Sequence, residues 1–281
     1  LLVAGLVSSG DRGVYDKFRG RVVWPIRDTT NQVIGFGARK IFEDDKGPKY
    51  LNSAETPVYH KSRVLYGLDL AKKDISKQQQ VVVVEGYTDV MACHLAGVTT
   101  AIATCGTAFS EEHIQVLNRL LGSDPANPAQ VIFNFDPDEA GQKAAMKAFG
   151  NSGKFNAQTF VAIGPDGLDP SDLRQQRGDE AVVAMISAKR PLLEFAVDRS
   201  VMKFDLSSRE GQVSATRAGA AILAGITDPI QRSVYVKYLS ELTSVDRSAI
   251  EALVNEEVKK SRNAKVSTIS MATPPADEPE P

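Results

Sequence analysis

Cysteine and histidine are scarce in this chain. In 281 residues there are two cysteines, Cys93 and Cys105, and three histidines, His60, His94 and His113. No Cys or His pair stands at zinc-ligand spacing. Two thiols make no disulfide framework, which points to a reduced, cytoplasmic setting and to both cysteines acting as small core residues. Long apolar runs are also missing: none approaches the ~20 residues that span a bilayer. The opening Leu1-Leu2-Val3-Ala4-Gly5 has neither a cationic flank nor a long apolar stretch, so it is not a secretory leader. It reads instead as part of a helix already under way. Internal repeats are absent.

What remains is the composition of a soluble globular protein, 42% apolar and 24% charged. Net charge is only −2, but it is unevenly spread: residues 1–73 carry 13 Lys+Arg against 8 Asp+Glu, and residues 74–281 carry 20 against 27. A basic first segment joined to an acidic remainder suits a site that grips phosphates on one side and cations on the other.

Two short β-rich runs, Val22-Val23-Trp24-Pro25-Ile26 and residues 33–39, flank the polar turn Asp28-Thr29-Thr30-Asn31 and predict a hairpin. Residues 43–63, punctuated by Gly47, Pro48 and Pro57, read as a long loop. From 81 onward strands and helices alternate. Val81-Val82-Val83-Val84 is a continuous β-branched run of the kind buried on both faces of a parallel sheet. Further strands are predicted at 99–103, 131–135 and 158–163, with helices at 89–96, after the cap Ser110, and at 140–149. From 179 the helical period dominates. Asp228-Pro229 is a cap and first-position pair opening a helix whose Ile230, Val234 and Leu239 are expected to face a core. A last helix is expected over 246–260, followed by a Pro- and acid-rich flexible tail at 267–281.

Acids cluster where these strands end: Glu85 after the first, Asp136 and Asp138 after the third, and Asp166, Asp169 and Asp172 after the fourth. Taken singly, such acids are turn formers and helix caps. In open α/β sheets the carboxyl edge is where ligands bind, and if the first and third strands are neighbours, Glu85, Asp136 and Asp138 converge there. Carboxylates crowded into one cleft repel one another. A divalent cation relieves that, and oxygen-only ligands favour Mg²⁺, with Mn²⁺ as substitute.

Glu85-Gly86-Tyr87-Thr88-Asp89-Val90 and Phe135-Asp136-Pro137-Asp138-Glu139-Ala140-Gly141 resemble the two halves of the Toprim metal site, a module shared by bacterial primases, topoisomerases and some nucleases. Phe18-Arg19-Gly20-Arg21-Val22, Gly35-Phe36-Gly37-Ala38-Arg39, Pro48-Lys49-Tyr50-Leu51-Asn52-Ser53, His60-Lys61 and Leu65-Tyr66-Gly67 narrow the likeness to the polymerase core of bacterial DNA primases, over roughly residues 1–262. The resemblance implies a Toprim-type α/β sheet module preceded by a basic β-containing segment and followed by a helical bundle. The corresponding divisions are 1–73, 74–178, 179–262 and a linker at 263–281.

It also implies template-directed synthesis of RNA primers on single-stranded DNA. Glu85, Asp136 and Asp138 would be the catalytic carboxylates, with Asp89, Asp169 and Asp172 completing the metal set. The last two stand as Asp169-Pro170-Ser171-Asp172, one residue wider than the family's usual Asp-x-Asp. Arg39, Lys49 and Lys61 would meet nucleotide and template, as would Arg21, Arg27 and Asn52 in weaker roles. Tyr87 reads as packing. The implied partners are single-stranded DNA, ribonucleoside triphosphates, a single-strand-binding protein and a replicative helicase, the last through a domain outside this chain. Zinc would belong to an amino-terminal domain also outside it. Two other readings remain: a different Toprim enzyme, separable by plasmid relaxation, or a non-catalytic replication adaptor, separable by ribonucleotide incorporation.

Overall fold

Four consecutive valines cannot hide on one face of a strand, because successive side chains point to opposite sides. In the computed structural model of this chain, Val81, Val82, Val83 and Val84 are accordingly all buried, in a strand covered on both faces. Each such side chain contributes roughly 1.5–3 kcal/mol relative to an exposed one. The structure describes residues 1–11, 13–106, 109–122, 124, 127–135, 150 and 153–270, with side chains to 260. They fall into two units, Leu1–Leu193 and Glu194–Pro281.

The first unit holds three sheets. A small antiparallel pair joins β1 (Val7–Gly10) to β2 (Gly13–Asp16). This corrects the expectation of a helix at the start: residues 2–5 are turns that lead into β1. The predicted hairpin is present as β3 (Arg21–Arg27) and β4 (Val33–Lys40), antiparallel. A third strand, β5 (Tyr50–Asn52), pairs with Gly37, Ala38 and Arg39. Residues 43–63 are therefore not loop throughout. A three-residue strand carries no pattern of its own and is fixed by its partner.

Helix α1 (Leu68–Gln78) follows, burying Leu68, Ala71 and Ile75, and the 73/74 boundary falls inside it. The main sheet has the order β10-β9-β8-β6-β7. Its strands are β6 (Gln80–Val84), β7 (Ala101–Ala103), β8 (Gln130–Asn134), β9 (Gln158–Ala162) and β10 (Arg190–Pro191). The first four are mutually parallel and β10 is antiparallel at the edge. Helices α2 (Tyr87–Leu95), α3 (Glu111–Leu120), α4 (Pro170–Arg177) and α5 (Asp179–Ser187) accompany it. The Ser110 side chain caps α3, accepting from the His113 N–H. The helix expected over 140–149 lies outside the described residues.

From β6 the chain turns first to β7 on one side and later to β8 on the other. That reversal opens a crevice at the carboxyl ends of β6 and β8.

Helix α6 (Leu192–Val201) leads into the second unit, which is built on α7 (Arg209–Leu223), α8 (Pro229–Thr243) and α9 (Arg247–Ser270). Asp228 caps α8 as expected, its carboxylate accepting from the N–H groups of Ile230 and Gln231. The buried stripe of α8 is Val236, Leu239 and Thr243, whereas Ile230 and Val234 are 77% and 61% exposed. At 100° per residue those two sit on the opposite side from Leu239, so the expected core face was partly misassigned. Helix α9 runs ten residues past the expected end, to Ser270. Among the described residues no helix is long and apolar enough to cross a membrane.

Candidate active site

Glu85 is the first residue beyond β6 and is exposed at the sheet edge. Gly86 is extended (φ −132°), and α2 begins at Tyr87. The Asp89 carboxylate, only 6% exposed, accepts from the Gly86 N–H at 2.9 Å and so fixes the turn that presents Glu85. Parallel pairing sets Val83 opposite Phe133, so β8 delivers the chain to the same edge. Asn134 closes that strand, buried, with its side-chain N–H donating to the Ala162 carbonyl at 3.0 Å. Asp136 and Asp138 come next in the sequence and lie outside the described residues. After β9 the chain passes a 3₁₀ turn to Asp169, which caps α4 and accepts from the Asp172 N–H at 2.6 Å. Asp172 itself is exposed. Asp166 is ion-paired with Arg177.

A cavity of about 480 Å³ opens at this edge. Its lining includes the acids Glu85, Asp89 and Asp169 together with Lys49, Tyr50 and Asn52 from an earlier part of the chain. Tyr87, Cys105 and Gly106 line it as well. The described acids offer only oxygen donors, the chemistry of a hard divalent cation. Among the described residues no group of three or more His, Cys, Asp or Glu side chains could hold a metal. Asp136 and Asp138, the next acids in sequence after β8, lie outside those residues.

The basic wall rests on β5. The Lys40 N–H donates to the Lys49 carbonyl at 3.0 Å, and the Lys49 ammonium lies 5.9 Å from the Tyr50 ring centre. Arg39 is exposed on β4 opposite Tyr50. Arg21, its side chain 4% exposed, donates to Asp45 at 2.9 Å and to the Pro48 carbonyl at 2.8 Å, holding the segment that leads to Lys49. Arg27 donates to the Asn31 carbonyl at the far end of the hairpin. The Asn52 side chain is turned into the protein: it donates to the Cys105 carbonyl at 2.8 Å and accepts from the Tyr87 hydroxyl at 3.0 Å.

The structure thus gathers Glu85, Asp89, Asp169, Lys49 and Asn52 around one cavity. Arg21, Arg27, Arg39, Lys61 and Asp172 do not line it. Lys17 escaped the sequence reading. Its ammonium donates to the Asn52 carbonyl at 3.1 Å, and burial, with the nearby charge of Lys61, lowers its pKa. Only its place among basic residues of the first segment hinted at a role. Tyr87 packs as expected, 2% exposed, stacked on Trp24 at 5.2 Å and edge-on to Tyr66 at 4.7 Å. Burial pushes its hydroxyl pKa well above the ordinary value.

Three family models match in sequence order: the N-terminal domain of the DNA primase catalytic core over residues 1–72, the Toprim domain over 79–164, and the DnaB-helicase binding domain of primase over 193–248. The last match runs against the expectation that helicase contact belongs to a domain outside this chain. A DNA primase of Streptomyces coelicolor is 54% identical over 247 residues, covering 88% of this chain and 38% of the relative. The chain thus spans well under half the length of that curated relative. The crystal structure of the RNA polymerase domain of Mycobacterium tuberculosis primase DnaG is similar with a TM-score of 0.78 and 47% identity, covering 86% of this chain and 76% of that one. The DnaG primase catalytic domain bound to single-stranded DNA is similar with a TM-score of 0.74 and 34% identity, over 89% and 77%.

Proposed function

The chain belongs to the DNA primase (DnaG) family, and from that premise we propose that it is the catalytic core of a primase, joining ribonucleotides into short RNA primers on a single-stranded DNA template for replication. The observation that carries this reading is the two-signed cavity, lined by Glu85, Asp89 and Asp169 together with Lys49. Such a cleft suits phosphoryl transfer, where catalysis is mostly positioning and charge stabilisation.

In this reading Glu85 is the central acid, placed at the end of β6 to take the proton of the primer 3′-hydroxyl or to hold the ion that activates it. Asp136 and Asp138, which follow the neighbouring strand β8, would hold magnesium, for which manganese can substitute. Asp89 and Asp169 support them while fixing the turns on either side, and Asp172 stands behind Asp169. When bound, the ions lower the pKa of the attacking hydroxyl and offset the charge of departing pyrophosphate. Lys49 acts as a point charge on nucleotide phosphate. Arg39 can fork onto template phosphate, a geometry open to guanidinium and not to ammonium. Lys61, with Lys17 beside it, extends the positive wall toward the template. Arg21 works through Asp45 and the Pro48 carbonyl, and Arg27, at the other end of the hairpin, has no part in the cleft.

The helical residues 193–248 would carry the contact with a replicative helicase. The setting is cytoplasmic, at the replication fork.

Incorporation of labelled ribonucleotides on single-stranded DNA, with and without magnesium, tests the reading. Metal-dependent primer synthesis is expected from the wild-type chain and not from Glu85→Gln, with template binding retained in both. Normal primer yield from Glu85→Gln would overturn the assignment.

A further inference from the structure

Asn52 sits where three segments meet. Its side-chain N–H donates to the Cys105 carbonyl in the bend after β7, and its side-chain oxygen accepts from Tyr87 at the start of α2. Its main-chain carbonyl accepts from Lys17, just past β2. Tyr87 is bedded so that its hydroxyl can have only one heading. The ring is stacked on Trp24 with 4° between the planes and crossed by Tyr66 at 75°. It lies against Gly37, where an added Cβ would come within 2.0 Å of the Tyr87 Cζ. The Cys105 carbonyl is aimed by a bend in which Cys105 and Gly106 both have positive φ, 50° and 83°. For a non-glycine residue that conformation costs roughly 1–2 kcal/mol and persists only where neighbours hold it.

We propose that Tyr87 and Asn52 are positioning residues, forming a hydrogen-bonded strut from the Tyr87 hydroxyl through the Asn52 amide to the Cys105 carbonyl that sets the gap between Lys49 and the Glu85 edge. Both ends of the strut are tied to the cavity's charged groups by short lengths of chain. Glu85 precedes Tyr87 by two residues, and Lys49 precedes Asn52 by three along an extended segment, about 10 Å at most. β5 is an edge strand, and its ties to β3, β4 and Lys17 leave Asn52 as the link that joins the Lys49 side to the Tyr87 and Cys105 segments beside the acids. The role given to Asn52 differs from the nucleotide contact expected from sequence: its amide is spent on the protein's own groups, and it acts through Lys49. What the gap grips, a nucleotide phosphate, rests on the function proposed above. The strut itself does not.

Two measurements test the strut on the chain as it stands. Tyr87→Phe keeps the ring and removes only the O–H. It is expected to raise the KM for ribonucleotide about 3- to 10-fold, the size of one lost hydrogen bond, while kcat stays within about twofold. In a Lys49→Ala background the same change should add nothing further to KM. A merely structural loss would instead lower kcat and add to the Lys49→Ala effect, which would overturn the proposal. The second measurement needs no activity. The rate of thiol labelling at Cys105, mapped by mass spectrometry with Cys93 as internal control, should rise several-fold in Asn52→Ser, whose amide holds the Cys105 carbonyl in the wild-type chain. Unchanged labelling in that variant refutes the strut. Labelling that responds while the wild-type chain incorporates no ribonucleotide refutes the proposed function and leaves the strut standing.

Discussion

Glu85 reaches the cavity at the end of a strand bonded on both sides, whereas Lys49 reaches it just ahead of a three-residue edge strand bonded only to β4. The acid wall inherits its position from the buried parallel sheet: Val81–Val84 are dry, β7 and β8 clamp them, and the turn to α2 is locked by Asp89. The basic wall is assembled from long-range side-chain ties instead, Arg21 to Asp45 and Pro48, Lys17 to Asn52, Asn52 to Cys105. A carboxylate at the end of a buried strand is held by the ladders on both sides of that strand. A wall hung on single hydrogen bonds can be shifted by one substitution. The first arrangement suits groups that must share an ion within tenths of an ångström. The second suits groups that hold a longer, more variable ligand.

The comparison predicts that damage to the acid wall abolishes chemistry and spares binding, and that damage to the basic wall does the reverse. The largest effect is expected from Glu85→Gln, with primer synthesis down by about 10²–10³ or more, as for loss of a key charge-stabilising group, and template affinity unchanged in a filter-binding or anisotropy assay. Gly37→Ala strikes the joint between the walls. Its Cβ has no space beside the Tyr87 ring, so thermal or denaturant unfolding should show a loss of about 1–3 kcal/mol, the usual cost of overpacking. Lys49→Ala should weaken nucleotide or template binding about tenfold, near 1.4 kcal/mol, and make the salt dependence shallower by about one unit of slope. An unchanged slope would place no phosphate at Lys49. The smallest effect on catalysis is expected from Arg21→Ala, which frees the Pro48 segment and removes a guanidinium only 4% exposed with its bonds to Asp45 and Pro48, a loss of about 1–3 kcal/mol in unfolding. Nucleotide KM should rise modestly, and a kcat loss larger than the KM change would contradict the division between the walls.

The same contrast explains what could be read in advance. Strands β6, β8 and β9 announced themselves as apolar β-branched or aromatic runs, and Ser110 and Asp228 as caps, because each signal is local. The hairpin β3–β4 was legible from its turn. β5 was not, since Tyr50-Leu51-Asn52 is a strand only by virtue of Gly37, Ala38 and Arg39 beside it. Helix α1 is absent from the sequence expectations, although Leu68, Ala71 and Ile75 are spaced for one buried face. On α8, two apolar residues one turn apart drew the core to the wrong side, and only Leu239 marked it correctly. Within the site, Glu85 and Asp169 were legible as strand-end acids. The inward turn of Asn52 and the contribution of Lys17 were not, because both depend on partners 35 to 53 residues away.

Anomalous diffraction from crystals of this chain grown with manganese tests the central claim most directly. A manganese ion bonded to a Glu85 carboxylate oxygen at about 2.1 Å, with Asp136 or Asp138 in the same coordination sphere, is the result this account predicts. Manganese bound only elsewhere, with Glu85 beyond coordination distance from every ion, would contradict it.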